Sequence, residues 1–148
     1  MPHIIIEYSS NLRDQLQPQK FVKKVHEAAM ATAEFGPATL RTRASERTCY
    51  EIGDGHADNG FIHIVMRVRP GREPKAKRHL GEQVFNAVCD YLEPIFASRP
   101  LGLSFEVQEI ETDFRFLKNN MNEYVEAHKN GKREREPLSV AGEKTRGA

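Results

Sequence analysis

The chain opens on a short apolar run. His3 to Tyr8 carries Ile4, Ile5 and Ile6 in succession and closes on the polar turn Ser9-Ser10-Asn11, which predicts a strand. Neighbouring side chains of a strand point to opposite faces, so three consecutive isoleucines predict apolar groups on both faces and cover on both sides. A helical pattern follows. Pro18 suits a first turn, and Phe21, Val25, Ala28, Ala29 and Thr32 recur at helical spacing before Gly36-Pro37. A weaker extended stretch runs from about Thr39 to Ile52 and ends in the turn residues Gly53-Asp54-Gly55.

The same order then recurs. Phe61 to Arg69 alternates, with Ile62, Ile64, Met66 and Val68 on one face. Pro70-Gly71 turns the chain. Glu73 to about Ser98 predicts a long helix whose stripe is Ala76, Leu80, Val84, Val88 and Leu92, with Pro94 late enough to end or kink it. Leu101 to Ile110 closes as a strand in which Leu103, Phe105 and Val107 alternate. The two halves align at a shift of 59 residues, which places Ile5 on Ile64, Arg13 on Arg72 and Val25 on Val84. Two strand–helix–strand units predict an α+β fold: pseudo-symmetric βαβ units forming a four-stranded mixed sheet with two helices on one face. The other face then asks for a partner subunit.

Composition narrows the class. The 148 residues suit one domain, predicted over 1–127, with 128–148 a polar and flexible tail. Lys and Arg number 22 against 21 Asp and Glu, a net charge of +1, so no nucleic-acid partner is expected. No run is apolar enough for a membrane span, and the N-terminus lacks the features of a signal peptide. Cys49 and Cys89 form no CxxC pair. That argues against a disulfide framework or cysteine zinc site and for a cytoplasmic setting, the two thiols being small buried hydrophobes. His56 and Asp58 in a loop do not make a metal site, and no metal or other cofactor is expected.

Pro2 directly follows the initiator methionine. A small second residue favours removal of Met1, after which the chain begins with a secondary amine. Burial and nearby cations both disfavour the charged form of an amine, and a pKa near ambient pH makes an efficient general base. Alone, Met-Pro also fits a silent strand start whose missing N–H costs nothing.

More residues bear on that choice. Met1-Pro2-His3-Ile4-Ile5-Ile6-Glu7-Tyr8-Ser9-Ser10-Asn11, then Leu40-Arg41-Thr42-Arg43, Asp54-Gly55 before Phe61-Ile62-His63, Gly71-Arg72, Leu103-Ser104-Phe105-Glu106 and Lys118-Asn119-Asn120 appear in order. This series over about residues 2–127 resembles the 5-carboxymethyl-2-hydroxymuconate isomerase family of the tautomerase superfamily. The resemblance implies a homotrimer with three sheets packed inward. It also implies a cofactor-independent isomerase of aromatic (homoprotocatechuate) catabolism that converts an unsaturated 2-hydroxy dicarboxylate, a dienol, to its conjugated 2-oxo isomer. Pro2 would be the catalytic base. Arg41 and Arg72 match the family's arginines and would bind substrate carboxylates, which guanidinium forks grip bidentately. A twofold between the halves would bring Pro2 and Arg72 together. Arg13, the repeat mate of Arg72, is expected to be structural or a surface charge, and His3 and His63 to be satisfied within the core or an interface. The stretch Ala44-Ser45-Glu46-Arg47-Thr48 is more polar than the family pattern. The alternatives are a tautomerase-fold enzyme for another enol or keto acid, and a non-catalytic trimeric binding protein.

Overall fold

A computed structural model describes residues 1–131. The chain divides into two compact units, Met1–Leu117 and a second that begins at Lys118. The first holds β1 (His3–Ser9), a 3₁₀ turn (Ser10–Leu12), α1 (Arg13–Leu16), α2 (Pro18–Ala31), β2 (Arg41–Arg47), β3 (Gly60–Val68), α3 (Pro74–Phe96) and β4 (Leu101–Glu109). The second holds α4 (Met121–Lys129), whose start is fixed by an Asx turn in which the Met121 N–H donates to Asn119 Oδ1 at 3.0 Å. The division at 117 precedes the expected boundary at 127, and α4 runs on through Lys129. Most of the expected tail lies outside the described residues.

The sheet order is β2-β1-β3-β4. β1 runs parallel to β2 and β3 parallel to β4, while β1 and β3 are antiparallel at the centre. This is the predicted α+β arrangement of two βαβ units. The pairs His3↔Arg67 and Tyr8↔Ile62 are exchanged by the 59-residue shift, so the repeat seen in the sequence is a real twofold about the β1–β3 ladder.

One face of the sheet carries the core. Ile4, Ile6 and Tyr8 of β1 and Ile62, Ile64, Met66 and Val68 of β3 are buried with Phe21, Val25 and Ala29 of α2 and Leu80, Val84, Val88 and Leu92 of α3. The helical stripes therefore fall where the periodicity put them, except that Ala76, in the first turn of α3, is exposed and Ala28 and Thr32 are half-buried. The helices also meet each other: the Phe21 and Tyr91 rings lie 5.1 Å apart, and Tyr91 Oη donates to Leu16 O at 2.7 Å. Gly81 lets α3 approach β4 closely, since a Cβ there would sit 3.0 Å from Val107 Cγ2.

The opposite face differs from expectation. Alternation sends two of the three isoleucines, Ile4 and Ile6, to the helices and leaves Ile5 on the other side between His3 and Glu7. Ile5 pairs with Val65, and charged groups surround them. Arg47 binds Glu7, and Arg43 Nη1 meets His3 Nδ1 at 3.1 Å. His63 Nδ1 meets Ser104 Oγ at 2.6 Å. The face is a charged lattice around a narrow apolar centre, and both strand histidines are partnered within it. Other expectations shift by a few residues. α2 stops at Ala31, not at Gly36-Pro37, because Thr32 Oγ1 caps Ala29 O at 2.6 Å and Ala33 turns left-handed at φ 61°. β2 is shorter than the predicted extended stretch, and α3 accommodates Pro94 in its last turn. Cys49 is exposed and Cys89 half-buried, so Cys49 is not the buried hydrophobe expected of it. No helix among the described residues is long and apolar enough to cross a membrane.

Candidate active site

The site forms at the end of the sheet where β1 begins and β3 ends. Antiparallel pairing sets His3 opposite Arg67, so the residues just before β1 meet those just after β3. Pro2 is buried and lies on the helix side, in alternation with Ile4 and Ile6. It lines a cavity of about 100 Å³ with Glu34, Phe35, Gly36, Thr39, Arg69 and Arg72. Pro2 and Arg72, 70 positions apart in sequence, share this cavity as the twofold required. Gly71, at φ 104°, makes the turn that delivers Arg72, a backbone conformation that favours glycine.

Arg72 is held firmly. Its Nε donates to Glu34 Oε2 at 3.0 Å, Nη1 to Arg69 O at 3.1 Å and Nη2 to Glu34 O at 3.4 Å. Its guanidinium carbon lies 5.9 Å from the centre of the buried Phe35 ring. A guanidinium has five N–H donors, so these three bonds leave one on each terminal nitrogen, a fork suited to a carboxylate. Arg41 stands on β2 opposite His3, and its backbone N–H donates to Pro2 O at 3.3 Å. Its Nη1 donates to Thr39 O at 3.0 Å. Arg41 does not itself line the cavity, but Thr39 does. Arg13, in contrast, is paired with Glu46 on the surface, in keeping with a structural role; Glu46 belongs to the unusually polar stretch of β2.

Met1 and His3 lie on the other side of the same strand end. They line a second cavity, of about 310 Å³, with Arg67, Ile110, Glu111 and Arg115 among others. Burial, then the guanidiniums of Arg115, Arg69 and Arg41, lower the pKa of the Met1 amine below its ordinary value. Burial, then Arg43, the terminal amine, Arg41 and Arg67, do the same to His3. Both shifts have the sign that desolvation and like charge give a cation. This end of the sheet disfavours the charged form of both groups.

Glu34, Arg69 and Arg115 were not singled out in the sequence. Arg69 sits three residues before Arg72, and that proximity was a usable signal. Glu34 follows the left-handed turn at Ala33, and Arg115 lies between two phenylalanines beyond the last strand; neither has a local pattern that reveals its neighbour.

The chain matches the family model described as 5-carboxymethyl-2-hydroxymuconate isomerase over residues 2–125. It is 30% identical over 122 residues to the 5-carboxymethyl-2-hydroxymuconate Delta-isomerase of Escherichia coli, across 82% of this chain and 97% of that protein. Among solved structures it is similar to a 5-carboxymethyl-2-hydroxymuconate isomerase from Deinococcus radiodurans R1, with a TM-score of 0.76 and 27% identity over 84% of this chain and 93% of that one. A solved structure described as a fused 4-OT wild type symmetric trimer shares the fold alone, at a TM-score of 0.57 and 13% identity over 79% and 92% of the two chains. The twofold pair of βαβ units, the proline at the strand end and these matches lead to one conclusion: the chain belongs to the 5-carboxymethyl-2-hydroxymuconate isomerase family of the tautomerase superfamily, and is an isomerase.

Proposed function

We propose that the mature chain begins at Pro2, whose amine is the general base in converting an unsaturated 2-hydroxy acid with at least two carboxylates, such as the tricarboxylate 5-carboxymethyl-2-hydroxymuconate, to its conjugated 2-oxo isomer. The amine takes the proton of the 2-hydroxyl. The electron pair of that O–H bond becomes the carbonyl, the double bonds shift along the chain, and the distal carbon receives a proton from the prolinium formed. No atom is gained or lost, so no cofactor is needed. The reading rests on one observation: Pro2 and Arg72 line the same cavity. The half-buried Arg72 fork holds a carboxylate against the base, and its charge also stabilises the oxyanion that develops. Arg41, whose charge reaches the terminal amine, is the second arginine offered to the substrate.

The working assembly is a homotrimer in the cytoplasm, serving aromatic catabolism. Support for assembly comes from apolar groups that one subunit leaves bare. Phe114 is 81% and Phe116 94% exposed, and Phe85, Phe105 and Val107 line an open groove between α3 and the edge strand β4. Exposed patches of this kind mark interfaces.

The test is an ultraviolet ketonisation assay on protein of known intact mass, across pH. Chains lacking Met1 should convert the dienol. Because the base acts only when neutral, kcat/KM should rise as pH climbs through the amine's pKa and then level off. Burial and the arginines should place that rise below the pH at which an exposed prolyl amine titrates. Protein free of Met1 that leaves the dienol at its uncatalysed rate would overturn the proposal.

A further inference from the structure

The cavity on the Met1 side contains a feature that the proposed chemistry has not used. Arg115 Nη1 is buried and has no hydrogen-bond partner among the described residues. Most buried polar groups are satisfied, and a buried, charged N–H left unmade is costly. The Arg115 backbone N–H donates to Thr112 O at 3.3 Å. It lines the cavity of about 310 Å³ beside Met1 and Arg67, a volume at the lower end of the ~300–1,000 Å³ usual for small-molecule sites. Arg115 also heads the charges that act on the terminal amine, which places it at the reacting end of the chain. The one carboxylate lining the cavity, Glu111, accepts the Asp113 N–H at 3.2 Å. Two guanidiniums therefore face one carboxylate, and the cavity favours an anion.

Strand alternation explains why there are two cavities and how they join. Pro2 faces the helix side and Met1 the opposite side. Loss of Met1 in the proposed mature chain takes away one of the residues that line the second cavity and frees the Pro2 nitrogen to which it was bonded. The base then stands between two cationic pockets, one at Arg72 and one at Arg115.

We propose that Arg115 is a further carboxylate-binding residue of this site, beside Arg72 and Arg41, receiving on Nη1 a carboxylate of the substrate other than the one held by Arg72, so that the substrate spans the Pro2 nitrogen. The assignment rests on the reading of Pro2 as the base of a dicarboxylate isomerase. It adds a specificity residue from outside both βαβ units.

Two measurements separate the two ideas. Turnover is compared for Met1-free wild type, Arg115→Met and Arg115→Lys on a 2-hydroxydienol dicarboxylate and on the matching monocarboxylate. Binding of adipate and of hexanoate, neither of which can tautomerise, is followed by calorimetry on the same proteins. Arg115→Met should raise KM for the dicarboxylate about tenfold or more with kcat little changed, leave the monocarboxylate nearly unaffected, and lose the preference for adipate. Arg115→Lys, which keeps the charge without the fork, should recover part of each loss. Equal effects of Arg115→Met on both substrates, or an adipate preference that survives it, would overturn the assignment even if the enzyme is active. An adipate preference lost in Arg115→Met, in a wild type that isomerises neither dienol, would leave the anion site standing and sink the catalytic reading instead.

Discussion

The two ends of the central β1–β3 ladder are related by the twofold, yet they are built for opposite purposes. At one end β1 begins and β3 leaves, and there Pro2, Arg69 and Arg72 surround a cavity. At the other end β3 begins and β1 leaves, and there the space is filled. Gly60 starts β3 so close to Leu12 that a Cβ would lie 2.7 Å from Leu12 Cδ2. The Phe61 N–H donates to Ser9 Oγ at 2.9 Å. Asn11 Nδ2 bonds Asn59 O at 2.8 Å, and Arg99 bonds Asn11 O and Asp58 O, both at 2.8 Å. The arginine at this end serves carbonyls of its own chain and has a structural task. The difference follows from chain connectivity. β3 is preceded by a loop whose backbone carbonyls are bonded by Asn11 and Arg99, whereas β1 is preceded by Pro2, which lines a cavity.

The comparison breaks most visibly at Pro2. Pro2→Ala leaves a primary amine at the same place, and should lower kcat/KM by about 10²-fold or more, in the range that general-base catalysis supplies, with the fold intact by circular dichroism. Arg13→Ala, at the twofold mate of Arg72, should leave turnover unchanged; a comparable loss there would show that the two ends are not functionally distinct. Arg72→Ala comes next. Loss of one charge-assisted fork should raise KM about ten- to a hundredfold both for a dicarboxylate and for the monocarboxylate that keeps the group Arg72 holds, in steady-state assays on both. The smallest effect on turnover belongs to the closed end. Gly60→Ala should destabilise the fold by about 1–3 kcal/mol through overpacking against Leu12, read by denaturant unfolding, with kcat/KM of the surviving native protein unaltered.

Much of this architecture was legible beforehand. The alternation of Ile62, Ile64, Met66 and Val68 and the stripe of Leu80, Val84, Val88 and Leu92 have fixed periods, and burial followed them residue by residue. The repeat with a 59-residue shift also carried the topology, because a twofold between like units places the residues before β1 beside those after β3. That much sufficed to pair Pro2 with Arg72. The reading of the open face was less secure. Three consecutive isoleucines suggested two apolar faces, but a period of two sends the first and third to the same side, and the cross-strand partners of Ile5 had to be known before its surroundings could be.

The amino-acid order alone therefore determined the elements, their duplication and the proline at the start, since each depends on local spacing or on what the terminal residue is. Tertiary structure alone decided that Glu34 would grip Arg72, that Arg41 would bond Thr39 rather than line the cavity, and that Arg115, with an N–H unpaired among the described residues, would line a cavity with Met1. Those are contacts between residues far apart in the chain. They arise from loop trajectories, such as the left-handed turn at Ala33 and the glycine turn at Gly71, whose outcome no periodic pattern encodes.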